Sequence, residues 1–262
     1  MNIDTLFSLE GKVAVITGGS RGLGKHFARA FIASGAKVYI TSRKAPACFE
    51  TAEELGEMCI PLPHDLSTLE GIDAFVAELK EKEDHVDILI NNAGAAWGED
   101  YLEYSEAGWD KTMDLNLKSP FFLTQRMHDL LKATATNEDP SKVINIASID
   151  GQRLNPWETY AYHASKSGLI YLTRRVAARL IEDNIVVNAI APGAFASDMN
   201  RAARDHGDEV GKRIPSRRIG TDEDIAAAAI YLAARSGNYV VGHTLTVDGG
   251  LVNAAIGTSI DA

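Results

Sequence analysis

Seven short runs rich in β-branched and apolar residues punctuate this chain: KVAVIT, AKVYIT, CIPLPHD, VDILIN, KVINIAS, IVVNAIAP and TLTVDGG. The stretches between them carry helical periodicity. Strands that alternate with helices build parallel β-α-β units, since a crossover helix is what returns the chain to begin a second strand in the same direction. The runs are almost continuously apolar, as strands covered on both faces are. With 262 residues, 45% of them apolar, one sizeable core can be filled. No repeat, low-complexity tract or long linker divides the chain, so a single α/β domain over residues 1–262 is expected. The polar stretch ATATNEDPSK, Ala133 to Lys142, reads as a surface loop. The charged, Pro/Gly-punctuated stretch from Ala194 to Arg218 reads as a mobile lid.

Charge narrows the function classes. Lys and Arg number 26 against 36 Asp and Glu, a formal net charge of −10. That balance disfavours nucleic acid and anionic membrane surfaces as partners, since both need a basic face. Cys48 and Cys59 are the only cysteines, which fits a reduced compartment and two small apolar side chains better than a disulfide framework. The N-terminal MNIDTLFSLEGK has neither a basic n-region nor an unbroken apolar h-region, and the apolar run Ile225 to Ala234 is too short to span a bilayer. A soluble, cytoplasmic protein is expected. The histidines lack metal-ligand spacing, so no metal is expected.

The first strand runs into TGGSRGLGK, Thr17 to Lys25, and a helical pattern follows at once. Gly18, Gly22 and Gly24 suit a tight turn where backbone approaches a ligand, and the free N–H groups of the following helix suit a diphosphate. The same letters permit a rival: Gly18-Gly19-Ser20-Arg21-Gly22 satisfies the hydrolase elbow G-x-S-x-G, with Asp224 and His243 following in a permitted order. That elbow needs an earlier strand loop to supply half of its oxyanion hole, and here the loop follows the first strand.

TYAYHASKSG, Thr159 to Gly168, offers two tyrosines and one lysine. On a helix, residues four apart share a face and residues six apart do not, so Tyr162 meets Lys166 and Tyr160 does not. A cation one turn away favours a phenolate that free tyrosine, with a pKa near ~10, does not form at neutral pH. Tyr162 is thus the candidate proton donor and acceptor for a carbonyl or alcohol oxygen. Ser148, at the end of KVINIAS, can donate a hydrogen bond to the same oxygen.

With the glycine loop, NNAG at Asn91 to Gly94, Asn116, Ser148, Tyr162, Lys166, and Pro192-Gly193 in this order, the whole chain resembles the short-chain dehydrogenase/reductases. The resemblance implies a single doubly wound Rossmann domain, with a seven-stranded parallel sheet, helices on both faces and the cofactor across the carboxyl ends of the strands. It also implies that Lys166 holds the nicotinamide ribose and that Asn116 anchors a water relay; a polar residue holding backbone near Pro120 is the other reading of Asn116. The cofactor set implied is Gly18, Ser20, Arg21, Gly22, Leu23, Gly24, Ser42, Arg43, Asp65, Leu66, Asn92, Ala93, Gly94, Pro192, Gly193, Phe195 and Ser197, with Tyr162 and Lys166. Asp65 reads equally as a turn residue before LSTLEG. His163 is read as structural. A homotetramer or homodimer built on the catalytic helices is implied as well, with Leu169, Leu172, Val176 and Leu180 fitting either interface or core.

NADPH is expected over NADH. Ser42 stands where an NAD enzyme carries an acid, and Arg43 and Arg21 can clamp a 2′-phosphate. The ketoacyl-reductase-like members of the family are the nearest in pattern, so a small-molecule ketone or secondary alcohol is the expected substrate. Acidic residues Glu138, Asp139, Glu182 and Asp183 are expected to repel an acidic carrier protein. Arg201, Arg204, Lys212, Arg213, Arg217 and Arg218 either meet an anionic substrate or form a locally paired face. A non-catalytic cofactor-binding module is the alternative from another class.

Overall fold

In the computed structural model, which describes residues 2–255, all seven apolar runs form strands. These are β1 Val13–Thr17, β2 Lys37–Thr41, β3 Cys59–Pro61, β4 Ile88–Asn91, β5 Ser141–Ile146, β6 Ile185–Pro192 and β7 Thr244–Val247. They pair in parallel in the order β3-β2-β1-β4-β5-β6-β7. Residue 1 and residues 256–262 of the expected domain lie outside the described residues. Every residue of β1, β4, β5 and β6 is buried, as coverage on both faces requires. Side chains alternate along β1: Ala14 and Ile16 enter the core on one face, Val13 and Val15 that on the other.

The helices, in chain order, are α1 Ile3–Phe7, α2 Gly22–Ala33, α3 Ala45–Leu55, α4 Leu69–Lys80, α5 Glu106–Met113, α6 Ser119–Arg126, α7 His128–Lys132, α8 Tyr160–Leu180, α9 Arg201–Asp205, α10 Gly207–Gly211 and α11 Asp222–Ala233. α2 buries Gly24, Phe27, Ala28 and Phe31, and α4 buries Ile72, Phe75, Val76 and Leu79. Both sets follow the i, i+3, i+4, i+7 spacing that puts one stripe against the sheet. Phe27 and Phe31 pack with Ile225 and Leu232 of α11 on one face; Phe75 and Leu79 pack with Leu123 and Met127 on the other. From β1 the strand order runs outward to β2 and β3, and from β4 outward to β7. The chain therefore reverses between β1 and β4, which opens a crevice at their carboxyl ends.

Three sequence expectations change. β5 begins at Ser141, so the surface loop is two residues shorter than its polarity suggested. Ser141 and Lys142 are buried because partners satisfy them: Ser141 Oγ donates to the Leu131 carbonyl at 2.6 Å, and Lys142 Nζ donates to the Asn238 side chain. The stretch 194–218 is not an unpacked lid; it contains α9 and α10, and Phe195, Ala203 and Ile214 are buried. Its ends are tied by the Phe195↔Gly220 bridge, with Gly220 N donating to Ala194 O at 2.9 Å. Finally, the acids thought to repel a carrier precede β5 and β6, at the amino edge of the sheet, opposite the crevice. Asp139 pairs with Lys12 at 2.7 Å, and Asp183 is clamped by Lys132 at 2.6 Å, Arg179 at 2.8 Å and His128 at 3.1 Å. They say nothing about what approaches the carboxyl edge.

Candidate active site

Gly18 and Gly22 of the first loop have positive φ (64° and 52°), the left-handed region open to glycine. At Gly24 a Cβ would lie 2.3 Å from the Gly18 carbonyl oxygen, so the first turn of α2 packs directly on the loop. No side chain caps α2, and its first N–H groups face the crevice end of β1. The loop is held from two sides. Gly18 N donates to Thr41 O at 2.8 Å, which ties it to the end of β2, and Asn92 Nδ2 donates to Thr17 O at 2.8 Å. Thr17 Oγ1 in turn accepts from Asn92 N and Ala93 N, both at 2.9 Å. This cradle fits a dinucleotide diphosphate: its glycines make room for backbone approach, and the N-terminus of α2 behind them carries no side-chain cap.

Around the cradle, Ser42 and Arg43 directly follow β2, and Arg43 is exposed. Leu23, on α2, packs against the core, and Leu66 is buried. Asp65 Oδ1 accepts from Ser67 N at 3.0 Å and Ser67 Oγ at 2.7 Å, so one oxygen serves the turn reading. Ser20 contributes its carbonyl to Thr51 at 2.9 Å. After β6, Gly193 N donates to Val247 O at 2.9 Å. Phe195 is turned into the core against Gly220, so its side chain does not line the crevice. Ser197 reaches the glycine loop, where a Cβ on Gly22 would meet it at 3.8 Å.

The reactive groups meet next to this cradle. Tyr162 and Lys166 are one turn apart on α8, with Lys166 Nζ 5.6 Å from the Tyr162 ring centre. Lys166 is buried, and its Nζ donates to the Ile146 carbonyl at 2.8 Å. Burial lowers the Lys166 pKa to about 8 and pushes the Tyr162 phenol up to about 12, while a hydrogen bond with Ser148 pulls the phenol the other way. Ser148, two residues beyond β5, accepts from Asp150 N at 3.1 Å. Tyr160 points elsewhere: its hydroxyl donates to Glu158 at 3.0 Å and its ring packs edge-on, 5.5 Å from both Tyr101 and Tyr104. His163 Nδ1 lies 2.9 Å from the Thr159 carbonyl one turn back, a structural contact.

Asn116 lies in a π-helical turn, Asp114–Lys118, ahead of Pro120. Its Oδ1 accepts from Ala95 N at 2.8 Å, and its Nδ2 donates to Ala95 O at 2.8 Å and Ser165 Oγ at 3.0 Å. The side chain thus holds backbone, tying the loop after β4 to α8. A Cβ on Gly94 would stand 3.2 Å from Asn116 Oδ1 and 3.7 Å from Lys166 Nζ, so these three residues meet. Sequence reasoning missed the support beneath them: Asn91 Nδ2 donates to Asn145 Oδ1 at 2.9 Å, and Asn145 Nδ2 donates to Thr173 at 2.9 Å. The β-branched setting hid these polar positions, although Asn91 and Asn145 are register partners.

The hydrolase alternative is not assembled. His243 precedes β7 at the amino edge of the sheet, Ser20 follows β1 at the carboxyl edge, and Asp224 is engaged by Arg218 and Thr221.

A doubly wound sheet with a glycine cradle beside Ser148, Tyr162 and Lys166 defines a class of nucleotide-dependent oxidoreductases. A family model described as enoyl-(acyl carrier protein) reductase matches residues 18–252. The chain is 40% identical to the rhamnolipids biosynthesis 3-oxoacyl-[acyl-carrier-protein] reductase of Pseudomonas aeruginosa, over 93% of this chain and 97% of that one. It is 39% identical to the 2-dehydro-3-deoxy-D-gluconate 5-dehydrogenase of Escherichia coli, over 93% and 96%. The solved Pseudomonas aeruginosa RhlG/NADP active-site complex superposes with a TM-score of 0.90 at 40% identity, covering 95% of this chain and 99% of that one. The chain belongs to the short-chain dehydrogenase/reductase family.

Proposed function

We propose that this protein is an NADPH-dependent reductase that interconverts a 3-oxoacyl thioester ketone and its secondary alcohol. NADPH, when bound, supplies the hydride. Tyr162 gives its proton to the carbonyl oxygen as negative charge develops there, and Ser148 donates a second hydrogen bond to that oxygen. The Lys166 ammonium favours the resulting phenolate and is the group placed to hold the nicotinamide ribose. Asn116 keeps α8 in register with the loop after β4. The glycine loop, Asn92, Gly94, Gly193 and Ser197 hold the diphosphate and nicotinamide ends; Arg43 and Arg21 hold the adenosine 2′-phosphate, and Ser42 leaves it unopposed. The filled catalytic set supports turnover over a non-catalytic binding module.

The relatives differ in substrate, one acting on an oxoacyl group and the other on a sugar acid, according to their names. The observation that supports the acyl reading for this chain is the rim of the crevice. The loops after β4, β5 and β6 expose Leu102, Leu154, Trp157 and Met199, with Leu154 and Leu102 more than four-fifths exposed (83% and 88%). A polyol or sugar acid gains nothing from such a surface, whereas an acyl tail is buried by it. A homotetramer or homodimer in the cytoplasm, taking no nucleic acid or membrane as partner, completes the reading. The acidic balance supports the exclusion of nucleic acid and anionic membranes as partners, and no described helix is long and apolar enough to cross a membrane.

The test is kcat/KM across 3-oxoacyl thioesters of increasing chain length, beside 5-keto-gluconate. A buried methylene contributes about 0.8 kcal/mol, so kcat/KM is expected to rise by up to about fourfold per CH2 until the rim is covered. A flat series, or preference for the sugar acid, overturns the substrate reading.

A further inference from the structure

Arg21 stands at the tip of the glycine loop, immediately before α2, and its Nη1 lies 3.2 Å from Asp198 Oδ2 in the stretch after β6. The other Asp198 oxygen takes Arg204 at 2.8 Å, and Arg204 also pairs with Asp205 at 2.8 Å. Two guanidiniums and two carboxylates therefore form one chain of ion pairs, from the glycine loop into α9. The two segments also run close together at Gly22, where an added Cβ would lie 3.8 Å from Ser197. The other arginines of this stretch that form pairs do so without the glycine loop: Arg217 donates to the Lys212 carbonyl and Arg218 pairs with Asp224.

We propose that Arg21 is shared between Asp198 and the adenosine 2′-phosphate, which makes Asp198 a determinant of cofactor affinity and choice from outside the adenosine pocket. The proposal rests on the reading of Arg21 as a phosphate ligand given above. Arg21 reaches Asp198 through Nη1 alone, and a bidentate grip on a phosphate through the Nη1–Nη2 side of its fork draws that nitrogen away. The phosphate therefore competes with Asp198. Arg204 stays on Asp198 when Arg21 leaves, so the carboxylate is not stranded and the exchange is easily reversed. Both side chains are mostly exposed (74% and 58%), which makes the contact a weak tether and not a lock. A nucleotide without a 2′-phosphate leaves the tether in place; one that carries it releases α9 from the glycine loop.

Binding of adenosine 2′,5′-bisphosphate and of ADP to the full chain, measured by calorimetry, tests this with no catalytic step involved. The proteins are wild type, Asp198→Asn, Arg21→Ala and the double variant, each checked by its melting temperature. Exposed ion pairs are worth little, so Asp198→Asn is expected to tighten the bisphosphate by about two- to fivefold and to leave ADP unchanged. In the Arg21→Ala background the same substitution is expected to do nothing, since the pair is already broken. Unchanged or weaker bisphosphate binding by Asp198→Asn overturns the proposal. Equal tightening with and without Arg21 also overturns it, because Asp198 then acts by plain repulsion. Arg21→Ala that binds the bisphosphate as well as wild type does something different: it removes Arg21 as a phosphate ligand, and the failure then belongs to the functional reading itself.

Discussion

Two tyrosines separated by one residue face in different directions and meet different neighbours. Lys166 Nζ lies over the Tyr162 ring and Ser148 pulls the Tyr162 phenol down, while Tyr160 packs on Tyr101 and Tyr104 behind the rim. Tyr162→Phe removes the proton donor and is expected to lower kcat by ~10² to 10⁴, with cofactor affinity retained; Tyr160→Phe keeps most of its activity. Steady-state rates with fluorescence titration of NADPH check both, and equal losses in the two variants would contradict the assignment. The lysine sets a pH limit. Burial lowers its pKa to about 8, so the ammonium is present below that pH and is lost as pH rises through it. Tyr162, pushed up to about 12, stays protonated across the same window. Ketone reduction is therefore expected to be flat on the acid side of pH 8 and to fall above it. A kcat profile still level two pH units higher would show that the cation is not required.

At the scale of elements, the glycine loop and α2 act as one piece. The Cβ added by Gly24→Ala would meet the Gly18 carbonyl oxygen at 2.3 Å and Asn92 Nδ2 at 2.6 Å, and backbone cannot yield as a side-chain tip does. Overpacking of this kind costs about 1 to 3 kcal/mol, so both the melting temperature and dinucleotide affinity are expected to drop. Gly56→Ala serves as the control: it also lies outside the strands, with open space around it, although its φ of 89° carries its own strain. A Gly24→Ala protein that binds dinucleotide like wild type would show that the close approach is not what positions the cradle. The π-helical turn is a second such element. It ends where α6 begins, with Pro120 in the first turn of α6, and it turns Asn116 inward to hold Ala95 and Ser165 together.

At the scale of the molecule, an apolar surface apart from the crevice rim lies on the α6 and α8 side. Leu169, Leu172 and Val176 line a shallow groove with Pro120 and Phe121, while Tyr171 stands 72% exposed beside it. Association through these helices is expected, and light scattering of wild type against Tyr171→Glu with Phe121→Glu should show loss of the larger species. A wild type that runs as a monomer at micromolar concentration would contradict it.

The sequence alone determined what is local. Strand positions, the mostly apolar β4 and β6, the stripe on α2 and the pairing of Tyr162 with Lys166 all follow from periods of 2 and 3.6 residues, which a short window contains. Glycines at a strand-to-helix turn are legible for the same reason. Partners far apart in the chain are not written in any window, and only the tertiary structure decided those. Asn91 finds Asn145, Arg21 finds Asp198, and Lys12 reaches across to Asp139 because parallel crossovers bring distant segments to one edge. Which edge a residue occupies is also a tertiary fact. The acids before β5 and β6 read as neighbours of the site along the chain, yet each strand carries its two ends to opposite edges of the sheet, and these acids lie at the amino edge. Burial decided the rest: Lys142 and Asp183, charged and surface-like in sequence, are accommodated because the fold supplies each with a partner.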